Sequence, residues 1–379
     1  MYIKELQLTN FRNYVRETLE FQPGIYVIQG NNGQGKSNLL EAIYSLCFGR
    51  SFRNFQENDL VRWNAPYYYL QGSVCLQQRL YRLEMGYETQ KKRKVVKIDG
   101  KTGKSLGLDQ KCPLVCFIPE DLELIRRGPA ERRRFMDREI SQLSPLYRKH
   151  LNRYNRIVSQ KNRALKEIYH LKNREELFKV WNNQLVYFGS RIIQKRSLVV
   201  ADWSEMSAQN YEMLFPEGPR LRMDYDTFCS PDVARDKIEQ LEAAFSDKIE
   251  LMAKEEQRRG YSLLGPHRDD LLFLLDDKEA RRYASHGQQR SAIIALKAAQ
   301  LQLYQQQKEE PVFMLDDIFS ELDLRRRQEC FALLRDAGQV FLTITEKDSG
   351  LGSFLQQFTF PSFFLQVHKG RVAKKERIK

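Results

Sequence analysis

Eight residues constrain this chain more than any other stretch: Gly30-Asn31-Asn32-Gly33-Gln34-Gly35-Lys36-Ser37. They match the phosphate-cradling pattern G-x-x-x-x-G-K-[ST]. The flanks agree. Residues 24–28 form a β-branched and aromatic run that reads as a buried strand, and residues 38–47 put Leu39, Ala42, Ile43 and Leu46 on one helical face. Strand, glycine loop and helix in that order commit the chain to an α/β fold around a bound phosphate. Gly30, Gly33 and Gly35 let the backbone turn its N–H groups inward, with Asn31, Asn32 and Gln34 completing the cradle. The helix contributes the positive end of its dipole. Lys36 is placed to reach the β- and γ-phosphates and the Ser37 hydroxyl to ligate Mg²⁺, so ATP and Mg²⁺ are the expected cofactors.

A second constellation lies near the other end. Val312-Phe313-Met314-Leu315-Asp316-Asp317 is an apolar strand that ends in two carboxylates. Buried strands of such sheets deliver their carboxyl ends to the ligand crevice. Asp316 there is a candidate to hold Mg²⁺ through water, and Asp317 to orient and deprotonate the attacking water. A turn-capping role for Asp317 stays open. Upstream, Ser285-His286-Gly287-Gln288-Gln289 opens a helix and resembles the Ser-x-Gly-Gly-Gln signature of ABC-type ATPases, with Gln288 in place of the second glycine. Ser320-Glu321-Leu322-Asp323 resembles the D-loop of the same superfamily. Two heads of that superfamily sandwich two nucleotides. The resemblance therefore implies that Ser285, Gly287 and Gln288 act in trans, on the γ-phosphate held by a second copy. Thr343-Ile344-Thr345 occupies the place where many relatives carry a switch histidine, and Thr345 is the candidate there for the γ-phosphate. Arg12, in the early loop 10–14, is a candidate to stack on the base or touch a phosphate; a solvated arginine is the alternative.

The 379 residues allow about two domains. Residues 1–129 read as the first part of an ATPase head, 130–260 as a helical arm, and 261–379 as the returning part of the head. Within the first part, residues 67–76 and 80–86 form a hairpin, and 94–98 a strand before an Asp99-Gly100 turn. Gly103-Lys104-Ser105 imitates the end of the phosphate loop, but Ile98 stands where the first glycine belongs, so 101–107 reads as a surface turn. The arm begins beyond Gly128-Pro129. Ser144-Pro145 starts one of its helices, and Phe178, Trp181, Leu185, Phe188 and Ile192 form a packing stripe. Pro216-Glu217-Gly218-Pro219 interrupts the helical pattern, which resumes over 231–258. Residues 324–335 read as a helix and 339–344 as a strand. The basic stretch 368–379 reads as frayed. The expected fold class is α/β, an ABC-type ATPase head with a mixed, largely parallel sheet and an inserted helical arm.

Charge narrows the partners. There are 62 Lys and Arg against 49 Asp and Glu, a net charge of +13, which favours polyanions. Arg126, Arg127, Arg132, Arg133, Arg134 and Arg138 cluster at the start of the arm; Arg148, Lys149, Arg153 and Arg156 follow at helical spacing. Such spacing can track a DNA backbone without reading bases. No apolar run approaches the ~20 residues of a membrane span. The six cysteines include no C-x-x-C pair, and Cys112 and Cys116 lack a second pair or a clustered histidine for zinc. A reduced, cytoplasmic protein is expected.

The chain as a whole resembles the RecF family of bacterial recombination-repair ATPases. The resemblance rests on Leu8-Thr9-Asn10-Phe11-Arg12-Asn13-Tyr14, on the phosphate loop running into Asn38-Leu39-Leu40-Glu41-Ala42-Ile43, and on Pro119-Glu120-Asp121-Leu122. It continues through Arg132-Arg133-Arg134-Phe135-Met136-Asp137, Gly265-Pro266-His267-Arg268-Asp269-Asp270 and the block from Asp316 to Asp323. Arg127 departs from it, standing where the family pattern has glycine. The resemblance implies an ATP-dependent homodimer on DNA, slow ATP hydrolysis, and action with RecR and RecO to place RecA at gapped DNA. A transporter's nucleotide-binding subunit shares the ATP motifs but gives the helical insert and basic arm no work.

Overall fold

Alternation in the first twenty residues builds the first sheet. β1 (Tyr2–Phe11) buries Ile3, Leu6, Leu8 and Phe11, and turns at Arg12 and Asn13 into antiparallel β2 (Tyr14–Glu20). After β3 (Gly24–Gln29), the strands β4 (Tyr67–Leu76), β5 (Arg79–Glu88), β6 (Arg93–Ile98) and β7 (Lys101–Thr102) complete six antiparallel strands in the order β2-β1-β4-β5-β6-β7. The β6–β7 turn uses Asp99 and Gly100, both at positive φ, as the Asp-Gly pair leads one to expect. The computed structural model describes residues 1–53, 56–103, 112–167, 174–307, 309–317, 327, 338–345, 355 and 360–377. The D-loop candidate at 320–323, the helix expected at 324–335 apart from Arg327, and Lys104 and Ser105 of the imitation loop lie outside the described residues.

The second sheet holds β8 (Leu114–Phe117), β12 (Val312–Leu315), β13 (Gln339–Ile344), β14 (Ser362–His368) and β15 (Arg371–Arg377), with β3 among them in the order β15-β14-β3-β13-β12-β8. Every pairing in it is parallel except β14–β15. Between the sheets runs α1 (Lys36–Phe48), in contact with β1, β4 and β5 on one side and β13 on the other. That placement explains why nearly every residue of α1 is buried, polar Glu41 and Ser45 included. Gly72 of β4 is needed for the approach: a Cβ there would strike Leu46 of α1 and the Glu5 carbonyl. Buried Gln339 ties the sheets together, accepting the Ile3 N–H at 2.8 Å and donating to the carbonyls of Ile3 and Gln22.

Two expectations about elements are corrected. The basic stretch after His368 is β15, paired to β14 through a turn at Lys369 and Gly370, both at positive φ. A strand also interrupts the arm, β9 (Leu221–Asp226). Its Leu221, Met223 and Tyr225 alternate with charged residues, a period-two signal hidden inside a helical context.

The chain divides into two compact units, one of Met1–Leu122, Met213–Pro216 and Arg290–Lys379, the other of Glu123–Glu212 and Glu217–Gln289. Residues 261–289, assigned to the head on sequence, thus pack with the helices. The reason is β9. It pairs with β10 (Asp270–Leu275), which pairs in turn with β11 (Lys278–Glu279). The helices of this unit are α2 (Glu123–Arg126), α3 (Pro129–Leu143), α4 (Pro145–Lys166), α5 (Arg174–Leu214), α6 (Pro231–Asp236), α7 (Ile238–Arg259) and α8 (Ala280–Tyr283); α9 (His286–Gln306) follows. Ser144 caps α4 by accepting the Tyr147 N–H, with Pro145 at the first helical position. On α5 the packing stripe is half realised: Leu185 and Ile192 are buried, while Phe178, Trp181 and Phe188 are partly exposed.

A buried polar network holds this unit together. Arg196 of α5, 1% exposed, donates to the Tyr147 hydroxyl, to Asp137 of α3 and to the Pro266 carbonyl. Tyr225 of β9 bonds Asp269, and Arg132 of α3 makes a bidentate pair with Asp270 at 2.6 and 2.7 Å. Lys161 of α4 pairs with Glu256 of α7 at 2.7 Å, both buried. The Gly265–Asp270 motif therefore serves as a cross-brace bonded to α3, α4, α5 and β9. No helix among the described residues is long and apolar enough to cross a membrane.

Candidate functional site

Parallel strands β3, β13 and β12 end at the same edge of their sheet, and the phosphate loop with Ser37 meets Asp316 there. The loop 30–35 leaves β3 and enters α1. Gly30 and Gly35 sit at φ 159° and 117°. A Cβ on Gly30 would collide with the Val367 carbonyl, and one on Gly35 with the Asn13 side chain. The glycines are thus required by crowding as well as by backbone angle. The loop is braced from outside. Asn13 donates to the Gln34 carbonyl at 2.8 Å, Asn38 donates to Asn13, and the Tyr14 hydroxyl donates to the Gly35 carbonyl. The β14–β15 turn closes on the same point: Gly370 N–H reaches the Gln34 carbonyl and Lys369 N–H the Gln34 side chain.

The amino end of α1 has no side-chain cap. Its first N–H groups are an anion site by default. Lys36 folds across the loop, donating to the carbonyls of Gly30 at 2.6 Å and Asn31 at 3.1 Å. Ser37 donates to Asp316 Oδ1 at 2.8 Å, joining positions 279 residues apart. Thr343, 1% exposed, donates to the same Asp316 oxygen at 2.9 Å and accepts the Asp317 N–H at 2.9 Å. Burial pushes the Asp316 carboxyl up, while the Ser37 and Thr343 hydroxyls and Arg53 pull it back. Asp317 holds a left-handed φ of 51°, a conformation that turns the chain directly after the strand.

Three participants escaped the sequence reading. Thr343 is the first: register places it opposite Ile28 and beside Asp316, whereas Thr345, the residue chosen on sequence, lies beyond the end of β13. Glu41, fully buried, is the second. It accepts two bonds from Arg12 at 2.8 Å and one from Ser51. The third is Arg53, within 3.8 Å of Asp316, Glu41 and Glu120. A carboxylate in an otherwise apolar buried helix must find a cation, and that was the available signal. Arg12 has its edge committed to Glu41 and, at 2.8 Å, to the Asp59 carbonyl, so it could meet a base only by stacking.

Ser285, Gly287 and Gln288 open α9 as a capping box: Gln288 N–H points at the Ser285 hydroxyl at 3.3 Å and Ser285 N–H donates to Gln288 Oε1 at 2.8 Å. The substitution of Gln288 for a second glycine thus has a local reason. Ser285 is exposed and Gly287 half-exposed.

The basic patch divides. Arg132 is buried, Arg133 bonds the Asp269 carbonyl, and Arg127, Arg134 and Arg138 pair with Glu123, Glu131 and Glu139. Arg126 is exposed and donates to Gln289. Lys149, Arg153 and Arg156 are exposed and pair with no carboxylate among the described residues. Arg127 directly follows α2 and is not among the residues at positive φ, and Gly128 after it has φ −80°, so the departure from the family pattern there imposes no backbone strain.

Comparison with known proteins gives the family and the fold. Residues 2–352 match the model of the RecF/RecN/SMC N terminal domain. The chain is 36% identical to the DNA replication and repair protein RecF of Desulfitobacterium hafniense, over 99% of this chain and 100% of the relative. It is 37% identical to the protein of that name from Symbiobacterium thermophilum, over 91% and 92%. A solved structure described as the recombination mediator protein RecF-ATP in the RecFOR pathway superposes with TM-score 0.86 at 30% identity, covering 99% of this chain and 97% of that one. The head of an Smc protein, at 16% identity and TM-score 0.56, shares the fold.

Proposed function

The chain belongs to the RecF family, whose curated members carry the name DNA replication and repair protein, and from that premise we propose an ATP-dependent, DNA-binding recombination-repair protein. In this reading two copies close around ATP while on DNA, hydrolyse it slowly, and help RecO and RecR load RecA at gapped DNA. The observation that carries it is the Ser37–Asp316–Thr343 junction at the mouth of the phosphate loop. The head is formed by the first unit, and the helical unit supplies the DNA-facing cations.

A hydroxyl and one buried carboxylate are hard oxygen donors suited to Mg²⁺, which keeps several waters and takes few protein ligands. Among the described residues no cluster of three or more His, Cys, Asp or Glu suggests a different metal. When bound, ATP would supply the terminal phosphoryl group and Mg²⁺ would neutralise the charge that develops on it. Lys36 would leave the Gly30 and Asn31 carbonyls for the β/γ-phosphates. Backbone N–H groups of residues 30–37 would hold the phosphate oxygens, and Arg12 would stack on the base. Asp317 would accept the proton of the attacking water at its carboxylate. Ser285, Gly287 and Gln288 would complete the site of the second copy, at the cost of loosening their own capping box.

Light scattering and ATP turnover, with and without gapped DNA, test this. Lys36→Met abolishes nucleotide binding and the ATP-dependent dimer. Ser285→Arg binds ATP as a monomer and fails to dimerise. A Ser285→Arg protein that dimerises normally with ATP refutes the trans arrangement. Asp317→Asn stays dimeric longer; unchanged turnover removes Asp317 from the proton-accepting role.

A further inference from the structure

A groove between α4 and α5 sets Arg153 and Arg156 beside two aromatic rings to which no role has been given. Its volume is about 570 Å³, within the range of small-ligand sites, and it is lined by Arg153, Arg156 and Gln160 from α4 and by Gln184, Tyr187 and Phe188 from α5. Tyr187 is 47% exposed. An exposed ring of this kind is ordinarily mobile, but this one is pinned. The Arg191 guanidinium stacks 3.5 Å from its centroid and is itself tied to Glu242 and to the Tyr187 carbonyl. Phe188 and His150 meet the ring edge-on, at interplanar angles of 88° and 72°. Arg153 covers Phe188, and neither it nor Arg156 has a carboxylate partner among the described residues. The side-chain amides of Gln160 and Gln184 make no hydrogen bond to any described residue.

We propose that this groove binds an unpaired nucleotide of single-stranded DNA, with the base stacked on Tyr187 and its flanking phosphates on Arg153 and Arg156. The inference rests on the DNA-binding reading above and deepens it. Duplex DNA offers phosphates and base edges but no open base face, because its bases are already stacked; a pinned aromatic ring gains nothing from it. An unpaired base has an open π-face, and stacking of this kind tolerates any sequence. A ring fixed in advance loses little freedom on binding. Two cations one helical turn apart match a backbone passing over the ring, and the Gln160 and Gln184 amides can meet the edge of any base. An acidic peptide would use the arginines but leave these amides and the ring without a fixed role.

The test uses the full chain and fluorescence of 2-aminopurine placed in a dT oligonucleotide, compared with a blunt duplex. Tyr187→Leu lowers single-strand affinity about 5- to 100-fold and removes the 2-aminopurine quench. Tyr187→Phe keeps both, which separates stacking from folding. Duplex affinity stays within about twofold for either variant. Equal loss on both DNAs, or no loss on either, overturns the groove while leaving the proposed function standing. A wild-type protein that binds neither DNA instead overturns that function. If Tyr187→Leu loses only a glutamate–tyrosine copolymer and not the oligonucleotide, the groove is a protein site and the inference fails.

Discussion

On α3, Arg132 donates both ends of its guanidinium to Asp270 and is 6% exposed, whereas on α4 Lys149, Arg153 and Arg156 stand in solvent without a carboxylate. The sequence presents both sets as one basic run. Their surroundings separate them. α3 packs on β10, so Arg132 points into a region of low dielectric where a charge must be paired or expelled, whereas Arg134 on the same helix stays exposed. The three cations of α4 are exposed, where water solvates them and a bound polyanion gives up its condensed counterions. Counting arginines therefore overstates the surface available to DNA.

The largest effect that would test this contrast is at Arg132. Arg132→Met leaves the Asp270 carboxylate buried and alone, and unfolding free energy in urea falls by about 3–5 kcal/mol. Arg132→Met with Asp270→Leu recovers most of that loss, because an apolar pair of similar volume needs no compensation. A loss under about 1 kcal/mol for the single variant would erase the distinction between the helices.

Next comes the pH dependence of the same dry region. His267 bonds the Tyr154 hydroxyl through Nδ1 and the Ser262 carbonyl through Nε2. A carbonyl only accepts, so Nε2 carries the proton and Tyr154 donates to Nδ1, an arrangement of the neutral ring. Burial, opposed by the Ser262 carbonyl and reinforced by Arg268, pushes its pKa down to about 4. The unfolded ring, near ~6.5, takes up its proton first. Stability from the neutral ring is therefore complete above the unfolded value and is lost as pH falls from about 6.5 through 4, by roughly 3 kcal/mol. Urea unfolding at stepped pH shows this slope, and His267→Gln flattens it. A slope unchanged in His267→Gln would mean that the region is wetter than the geometry describes.

The smallest change in stability belongs to α4. Replacing Lys149, Arg153 and Arg156 together by Gln alters unfolding free energy by less than about 0.5 kcal/mol each. The same variant lowers the slope of log affinity for duplex against log salt by about 0.9 per lost phosphate contact. An unchanged slope would place these cations away from the DNA and leave Arg126 as the alternative.

How much was legible in advance varied with how local the physics is. The phosphate loop, its strand and its helix follow from glycine freedom, dipole and period, all contained within about twenty-five consecutive residues. The β4–β5 hairpin and the Asp99-Gly100 turn were legible for the same reason. The Asp316 strand end was recognisable as a site candidate, but its partner Thr343 was not, because that choice depends on parallel register with β3 and β12. β9 was hidden among helices because two-residue alternation over six positions is weak beside a helical context. The basic residues of β15 resemble a frayed tail in sequence, and only pairing with β14 makes them a strand.

By itself the sequence determined the chemistry on offer: a phosphate cradle, a paired carboxylate at a strand end, a capped signature helix and a surplus of cations. These are set by residue type and near-neighbour spacing, which the chain carries whatever its fold. Tertiary structure alone decided which groups share an environment. It closed the β14–β15 turn on Gln34, gave Glu41 to Arg12, and buried Arg132 while leaving Arg153 and Arg156 beside a pinned Tyr187. Solvation explains the division, since the energy of a charge or a ring depends on what surrounds it, and that is fixed only once distant segments have packed.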